Sequence, residues 1–306
     1  MELFTDAQLQ RLDIDTLRRM LRAKLGGYVI AVKDIPAHHL FYRGVHCDAC
    51  PATTRRIFYP PASVVTTCGR VNRAGEPRFY CSVAAPAVFY ELHARQGDCL
   101  ALSTWELMEP LWVHNLGYHP NALLRMGMQR DGIAMRPLVT HSIPNETKKN
   151  RKMRHRLSLA FTANVPPGKE YRYKLSIAIN ECLSHEVTFP YPNPDRDPDA
   201  PRHKRIAGTV YPTMRMRGDA DNAVFLPEFV DSSLRIREVR YVLVEDADEA
   251  RFAYTWLTVA VANAFDGDNI QWQRAMPSEG RRRSHIVLED GHWVLRDGGG
   301  PISDFH

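Results

Sequence analysis

The sequence predicts an α+β protein, because two stretches carry helical periodicity while several short apolar runs have the length and composition of strands. Residues 6–25 place Leu9, Leu12, Leu17, Met20 and Leu21 on one side, and residues 171–184 set Leu175, Ile179, Cys182 and Leu183 roughly on one face. Runs at 28–32, 208–211, 223–226 and 239–244 read as strands, the first by its β-branched residues and the others as buried sheet. Ile286-Val287-Leu288-Glu289 and His292-Trp293-Val294-Leu295 flank Asp290-Gly291, a dipeptide that favours the type I′ turn whose twist suits paired strands.

A chain of 306 residues with 44% hydrophobic and 25% charged content can bury a sizeable core in one large domain or two small ones. No run of about 18 apolar residues occurs, and the first residues lack the basic and apolar regions of a secretion signal. The expected location is the cytoplasm, with no membrane partner. Six cysteines without regular spacing fit reduced thiols better than a disulfide framework.

In chain order, the helix over 6–25 is expected to stop at Gly26-Gly27, and the strand at 28–32 leads towards Arg43. Residues 69–91 form the densest segment: Asn72-Arg73-Ala74-Gly75 has turn composition and Arg78-Phe79-Tyr80-Cys81 reads as a short strand. Ser82 can then cap a helix that tolerates Pro86, buries Val88, Phe89 and Leu92, and stops near Gly97. Glu91 is set among apolar and aromatic neighbours in that helix, as suits a carboxylate at the wall of a cleft. Residues 111–167 look loop-rich. Their basic run, residues 148–156, has no interleaved aromatics for base stacking, so a solvated basic loop or partner-facing arm is expected and nucleic acid is not. A modest net charge of +5 permits an anionic ligand without demanding a polymer. Residues 191–199 are too rich in proline and aspartate for regular structure. Residues 252–261 form a strand or a buried helix, and the glycine-rich end past Asp297 is expected to fray.

Cys47 and Cys50 have the spacing of half a zinc site, with Cys68 and Cys81 as the other half. The dozen residues separating that second pair argue against it, and no metal is expected. Phosphate-loop, dinucleotide-fold, zinc-protease and serine-hydrolase motifs are missing from the sequence.

Three stretches in order, Leu40-Phe41-Tyr42-Arg43-Gly44, residues 69–91, and Ala207-Gly208-Thr209-Val210-Tyr211-Pro212-Thr213 followed by Asp221-Asn222-Ala223-Val224-Phe225-Leu226, resemble the RES domain family of bacterial toxins. The resemblance covers roughly residues 40–245 and lacks a counterpart over 111–167. The family's arginines fall on Arg43 and Arg70, its tyrosine on Tyr80 and its glutamate on Glu91, while Thr213 stands where the family has serine. What this implies is an ADP-ribosyltransferase-like RES fold of mixed sheets flanked by helices. The expected organisation is an N-terminal helix and strand at 1–36, a catalytic domain at 37–250 with its insertion at about 111–167, and a C-terminal β extension at 251–306.

The resemblance further implies cleavage of NAD, as substrate, between nicotinamide and ribose. Such cleavage passes through an oxocarbenium-like state that a carboxylate stabilises, and nicotinamide leaves as a neutral ring needing no proton, so one glutamate suffices. By this reading Glu91, Arg43 and Thr213 are catalytic, with Glu91 central, and Arg43, Arg70, Tyr80 and Thr213 bind NAD. Arginine forks suit the pyrophosphate, Tyr80 can stack on a ring, and Thr213 can hydrogen-bond a ribose or carboxamide. The protein would act as a toxin or as an effector delivered into a target cell, with an antitoxin or immunity protein as partner. Alternatives are ADP-ribosylation of a protein target and a non-catalytic protein that uses its basic segment to bind nucleic acid or a partner. Taken singly, the arginines also suit salt bridges, Tyr80 a core position and Thr213 a turn cap.

Overall fold

A computed structural model describes residues 2–26, 28, 32–128, 147–183, 187–188, 203–248, 253–274, 283–289, 292–297 and 300–301. In chain order the helices are α1 (Asp6–Arg11), α2 (Ile14–Lys24), α3 (Ala87–Glu91), α4 (Pro120–Met126), α5 (Lys148–Phe161), α6 (Tyr173–Leu183) and α7 (Pro227–Ser233). The strands are β1 (Val32–Ile35), β2 (Leu40–His46), β3 (Phe79–Ser82), β4 (Cys99–Leu107), β5 (Leu111–Asn115), β6 (Val187–Thr188), β7 (His203–Lys204) and β8 (Gly208–Pro212). They continue as β9 (Asp221–Phe225), β10 (Leu234–Asp248), β11 (Ala253–Asp266), β12 (Asn269–Arg274), β13 (Arg283–Glu289), β14 (His292–Asp297) and β15 (Gly300–Pro301). The class is α+β, as expected. Among the described residues no helix is long and apolar enough to cross a membrane.

The chain divides into two compact units, each drawn from three stretches. Met1–Ala37, Pro60–Arg78 and Glu109–Val230 form the first, and His38–Tyr59, Phe79–Met108 and Asp231–His306 the second. Both units therefore draw on residues within 37–250, and residues 251–306 belong to the second unit.

In the first unit, β1 and β9 flank β5 and β8 in the order β1-β5-β8-β9, and the sheet is mixed because β5 runs parallel to β8. Gly208 is fixed by this pairing, since a Cβ there would sit 2.0 Å from the Val224 carbonyl oxygen. The helix expected over 6–25 is two helices. Leu12 is extended, and the Asp13 carboxylate accepts from Thr16 N at 2.6 Å, so an N-cap starts α2 where the periodicity suggested continuation. Leu17 and Leu21 of α2 are fully buried, and α2 packs on α6. Lys174 at the start of α6 donates from Nζ to the carbonyls of Leu9, Gln10 and Leu12, satisfying the end of α1.

The stretch expected to be loop-rich contains β5, α4 and α5. Thr147 caps α5 by accepting from Asn150 N, so the basic run forms most of a 14-residue helix and not a loop. Of the strand expected at 28–32 only Val32 lies in β1, which runs on to Ile35; Tyr28 is outside any strand, and residues 29–31 lie outside the described residues. The expected loop at 191–199 also lies outside them.

In the second unit an antiparallel sheet runs in the order β3-β2-β4-β10-β11-β13-β14-β15, with β12 also paired to β11. Residues 253–261 resolve as strand, within β11, while residue 252 lies outside the described residues. β13 pairs with β14 with Glu289 opposite His292, the two residues between them lying outside the described residues, and of the end expected to fray the described Gly300–Pro301 pairs with β14 as β15. The segment before residue 60 is tied to the β11–β12 turn: Arg55 pairs with Asp268 at 2.7 Å, and Trp272 donates from Nε1 to the Pro51 carbonyl.

Candidate functional site

Arg43, Tyr80 and Glu91 belong to the second unit, while Arg70 and Thr213 belong to the first. Arg43 sits in β2, in register with Ser103 of β4. Its Nε donates to the Ile57 carbonyl at 3.0 Å, Nη1 to the Tyr80 carbonyl at 2.7 Å and Nη2 to the Phe58 carbonyl at 3.2 Å. The guanidinium lies 5.3 Å from the Phe79 ring centre, and Phe58 and Phe79 both pack edge-on against buried Trp105. Trp105 donates to Ser103 Oγ at 2.8 Å, which donates to the Arg43 carbonyl at 3.0 Å. Although Arg43 as a whole keeps some exposed surface, burial of its charged group lowers its pKa to about 10. Among the described residues no carboxylate lies within ion-pair distance of it. The same burial pushes the adjacent Cys81 thiol far above its usual range, with Arg43 opposing the shift.

Tyr80 contributes a backbone carbonyl to this arrangement, in addition to a half-buried side chain between buried Phe79 and Cys81 in β3. Glu91 is the last residue of α3 and is half-buried. The helix starts later than expected: Ser82 ends β3, and Pro86 occupies the N-cap position with no side-chain cap. Val88 and Phe89 are buried as expected, whereas Leu92 lies just past the helix and is half-buried; Phe89 stacks obliquely on Trp256 at 4.4 Å and Tyr90 is edge-on to Tyr254 at 4.7 Å. Gly44, immediately after Arg43, lets α3 approach β2. A Cβ on residue 44 would lie 2.4 Å from Val88 Cγ1 and 2.8 Å from Leu92 Cδ1. The strand bearing Arg43 and the helix bearing Glu91 are thus packed through one glycine.

In the first unit Arg70 holds the end of α5. Nη1 donates to the Phe161 carbonyl, both terminal nitrogens reach the Ala163 carbonyl at 3.3 and 3.4 Å, and the Phe161 and Tyr173 rings flank it. A cation against the last carbonyls of a helix is also stabilised by the negative end of the helix dipole. Thr213 is fully buried beyond β8, and its hydroxyl accepts from Met216 N at 3.2 Å, capping the turn that follows Pro212. That hydroxyl keeps a proton to donate. Neighbouring Arg73 is the hub of an ion-pair cluster, reaching Asp15 of α2 at 2.7 Å and Glu181 of α6 at 2.6 Å.

Of the cysteines weighed as metal ligands, Cys68 belongs to the first unit and Cys81 is buried beside Arg43. The backbone of Cys47 is held by Cys99, whose carbonyl accepts from Cys47 N at 3.0 Å. Sequence reasoning missed the support around Arg43: the carbonyls of Ile57 and Phe58, the Phe79 ring and the Trp105–Ser103 relay. Only Phe79, beside Tyr80 in a recognisable strand, carried a signal; backbone carbonyls carry none. No protein-family model matches the chain, and no curated protein matches it.

Proposed function

We propose that the chain is an NAD-consuming enzyme that hydrolyses the bond between nicotinamide and ribose. The observation that supports this best is Arg43: a desolvated guanidinium whose partners among the described residues are three neutral carbonyls. A buried charge without a counter-charge is costly, so a site that keeps one gains most from an anionic ligand such as a pyrophosphate. Glu91, on the helix packed against the same strand, supplies the carboxylate that the resemblance calls for. In the reaction the C–N bond breaks with its electron pair leaving on neutral nicotinamide, and Glu91 stabilises the positive charge that develops on the ribose. Water then adds to that carbon and gives up a proton, for which Glu91 is the acceptor. Arg70 and Thr213 enter this proposal by resemblance, each with a structural bond of its own in the first unit. The same reading makes the chain a toxin or delivered effector held in check by an antitoxin or immunity protein.

The test is nicotinamide release by purified protein. Wild type should release nicotinamide from NAD, and Glu91→Gln should be slower by roughly 10²–10⁴-fold with an unchanged circular dichroism spectrum. A folded wild-type protein that leaves NAD intact overturns the proposal, and full activity in folded Glu91→Gln overturns the role of that carboxylate.

A further inference from the structure

We infer that the first unit carries a separate binding pocket for a small amphipathic anion, a carboxylate with an apolar body. A cavity of about 240 Å³ lies between the N-terminal segment and helices α5 and α6. Phe4, Leu9, Leu159 and Leu175 give it apolar walls, and four arginines, Arg70, Arg125, Arg156 and Arg172, face two carboxylates, Glu2 and Asp6. Two of those arginines are already committed. Arg172 forks onto Asp6 at 3.0 and 2.5 Å, which lowers the Asp6 pKa below the usual carboxylate range, and Arg70 holds the carbonyls of Phe161 and Ala163.

Arg125 and Arg156 are held by no carboxylate among the described residues. Arg125 makes no ion pair among the described residues. Arg156 donates from Nη2 to the Glu2 carbonyl at 2.9 Å, but its Nε is buried with no hydrogen-bond partner among the described residues. A planar two-oxygen head is the natural acceptor for a guanidinium fork. Apolar walls with a few convergent polar groups are the usual composition of small-molecule pockets. Part of the basic run thereby acquires a role: Arg156 lines a cavity, whereas Lys148, Lys149, Arg151 and Lys152 are exposed. Arg43, Tyr80 and Glu91 do not line this cavity; Arg70 does, but its guanidinium is held by the carbonyls that end α5, so the inference rests on Arg125 and Arg156 and not on NAD cleavage.

Calorimetric titration of the full chain with octanoate, octan-1-ol, acetate and inorganic phosphate tests it. Octanoate should bind one to one and at least about tenfold tighter than the other three, the fold-change expected of one charge-assisted hydrogen bond. Arg125→Gln, an exposed and structurally safe change, and Arg156→Gln should each weaken octanoate about tenfold. Ala160→Met should block it by filling the cavity while leaving every charge in place. Octanol binding as well as octanoate would reveal a mere apolar hole, and phosphate binding as well would reveal a bare anion site. Displacement of octanoate by NAD would assign the cavity to the dinucleotide. Each of these, or no octanoate binding, overturns the inference.

Discussion

The Arg43 guanidinium donates to the backbone carbonyl of Tyr80 at 2.7 Å, joining two residues 37 positions apart in the sequence. The bond ties β2 to β3 at a point where the register pairs Tyr42 with Ser82. It also makes Arg43 a structural residue whatever it binds.

Arg43→Lys separates charge from geometry. An ammonium keeps the positive charge but lacks the planar fork that reaches the carbonyls of Ile57, Phe58 and Tyr80 together. With two carbonyls left unmatched, stability should fall by roughly 2–5 kcal/mol, read from urea denaturation. Nicotinamide release should fall with it even where the protein is fully folded. A variant as stable as wild type would mean that water replaces the fork.

Gly44→Ala probes the approach of α3 to β2. The added methyl group collides with Val88 and Leu92 and should cost about 1–3 kcal/mol. Val88→Ala removes the nearer obstacle, so the double variant should be more stable than the sum of the two single changes predicts. Strict additivity in the thermal unfolding of all four proteins would show that the contact is not what keeps residue 44 small.

Thr213→Ser and Thr213→Val distinguish cap from ligand. Serine keeps the oxygen that accepts from Met216 N, whereas valine leaves that amide unmatched in a fully buried position, at a cost of about 1–3 kcal/mol. Thr213→Ser should match wild type in both melting temperature and nicotinamide release. If Thr213→Val loses stability but keeps its rate per folded molecule, the hydroxyl serves the turn alone.

Arg73 sets an acid sensitivity. Its hydrogen bonds to Asp15 hold that carboxyl below its ordinary value of 3.8. A carboxyl depressed in the folded state contributes stability above its unfolded pKa and loses that contribution as pH falls through the folded one. Wild type should therefore lose more melting temperature than Arg73→Met between about pH 5 and pH 2. Parallel pH curves for the two proteins would exclude Arg73 as the cause.

What was legible in the sequence was local. The strand at 78–81, the buried face of Val88 and Phe89, and the Asp-Gly hairpin each depend on neighbours a few residues away, and each stands in the structure. The break at Asp13, whose carboxylate caps α2 by accepting from Thr16 N, was not read, because the surrounding leucines kept helical spacing through it. The basic run hid a helix because charge obscured a period that only Leu157 and Phe161 mark with buried apolar side chains. Arg43 was placed by its resemblance. Its acceptors were not, because backbone carbonyls from another stretch leave no trace in residue identity.

The interleaved path of the chain has a consequence for how the protein is made. In the second unit β4 takes β10 as its neighbour, with Leu107 opposite Leu234, so Arg43 and Glu91 emerge from the ribosome long before the sheet beneath them can close. Pairings so distant in sequence close slowly. On the function proposed above, the nascent chain would be inert until synthesis had passed β10.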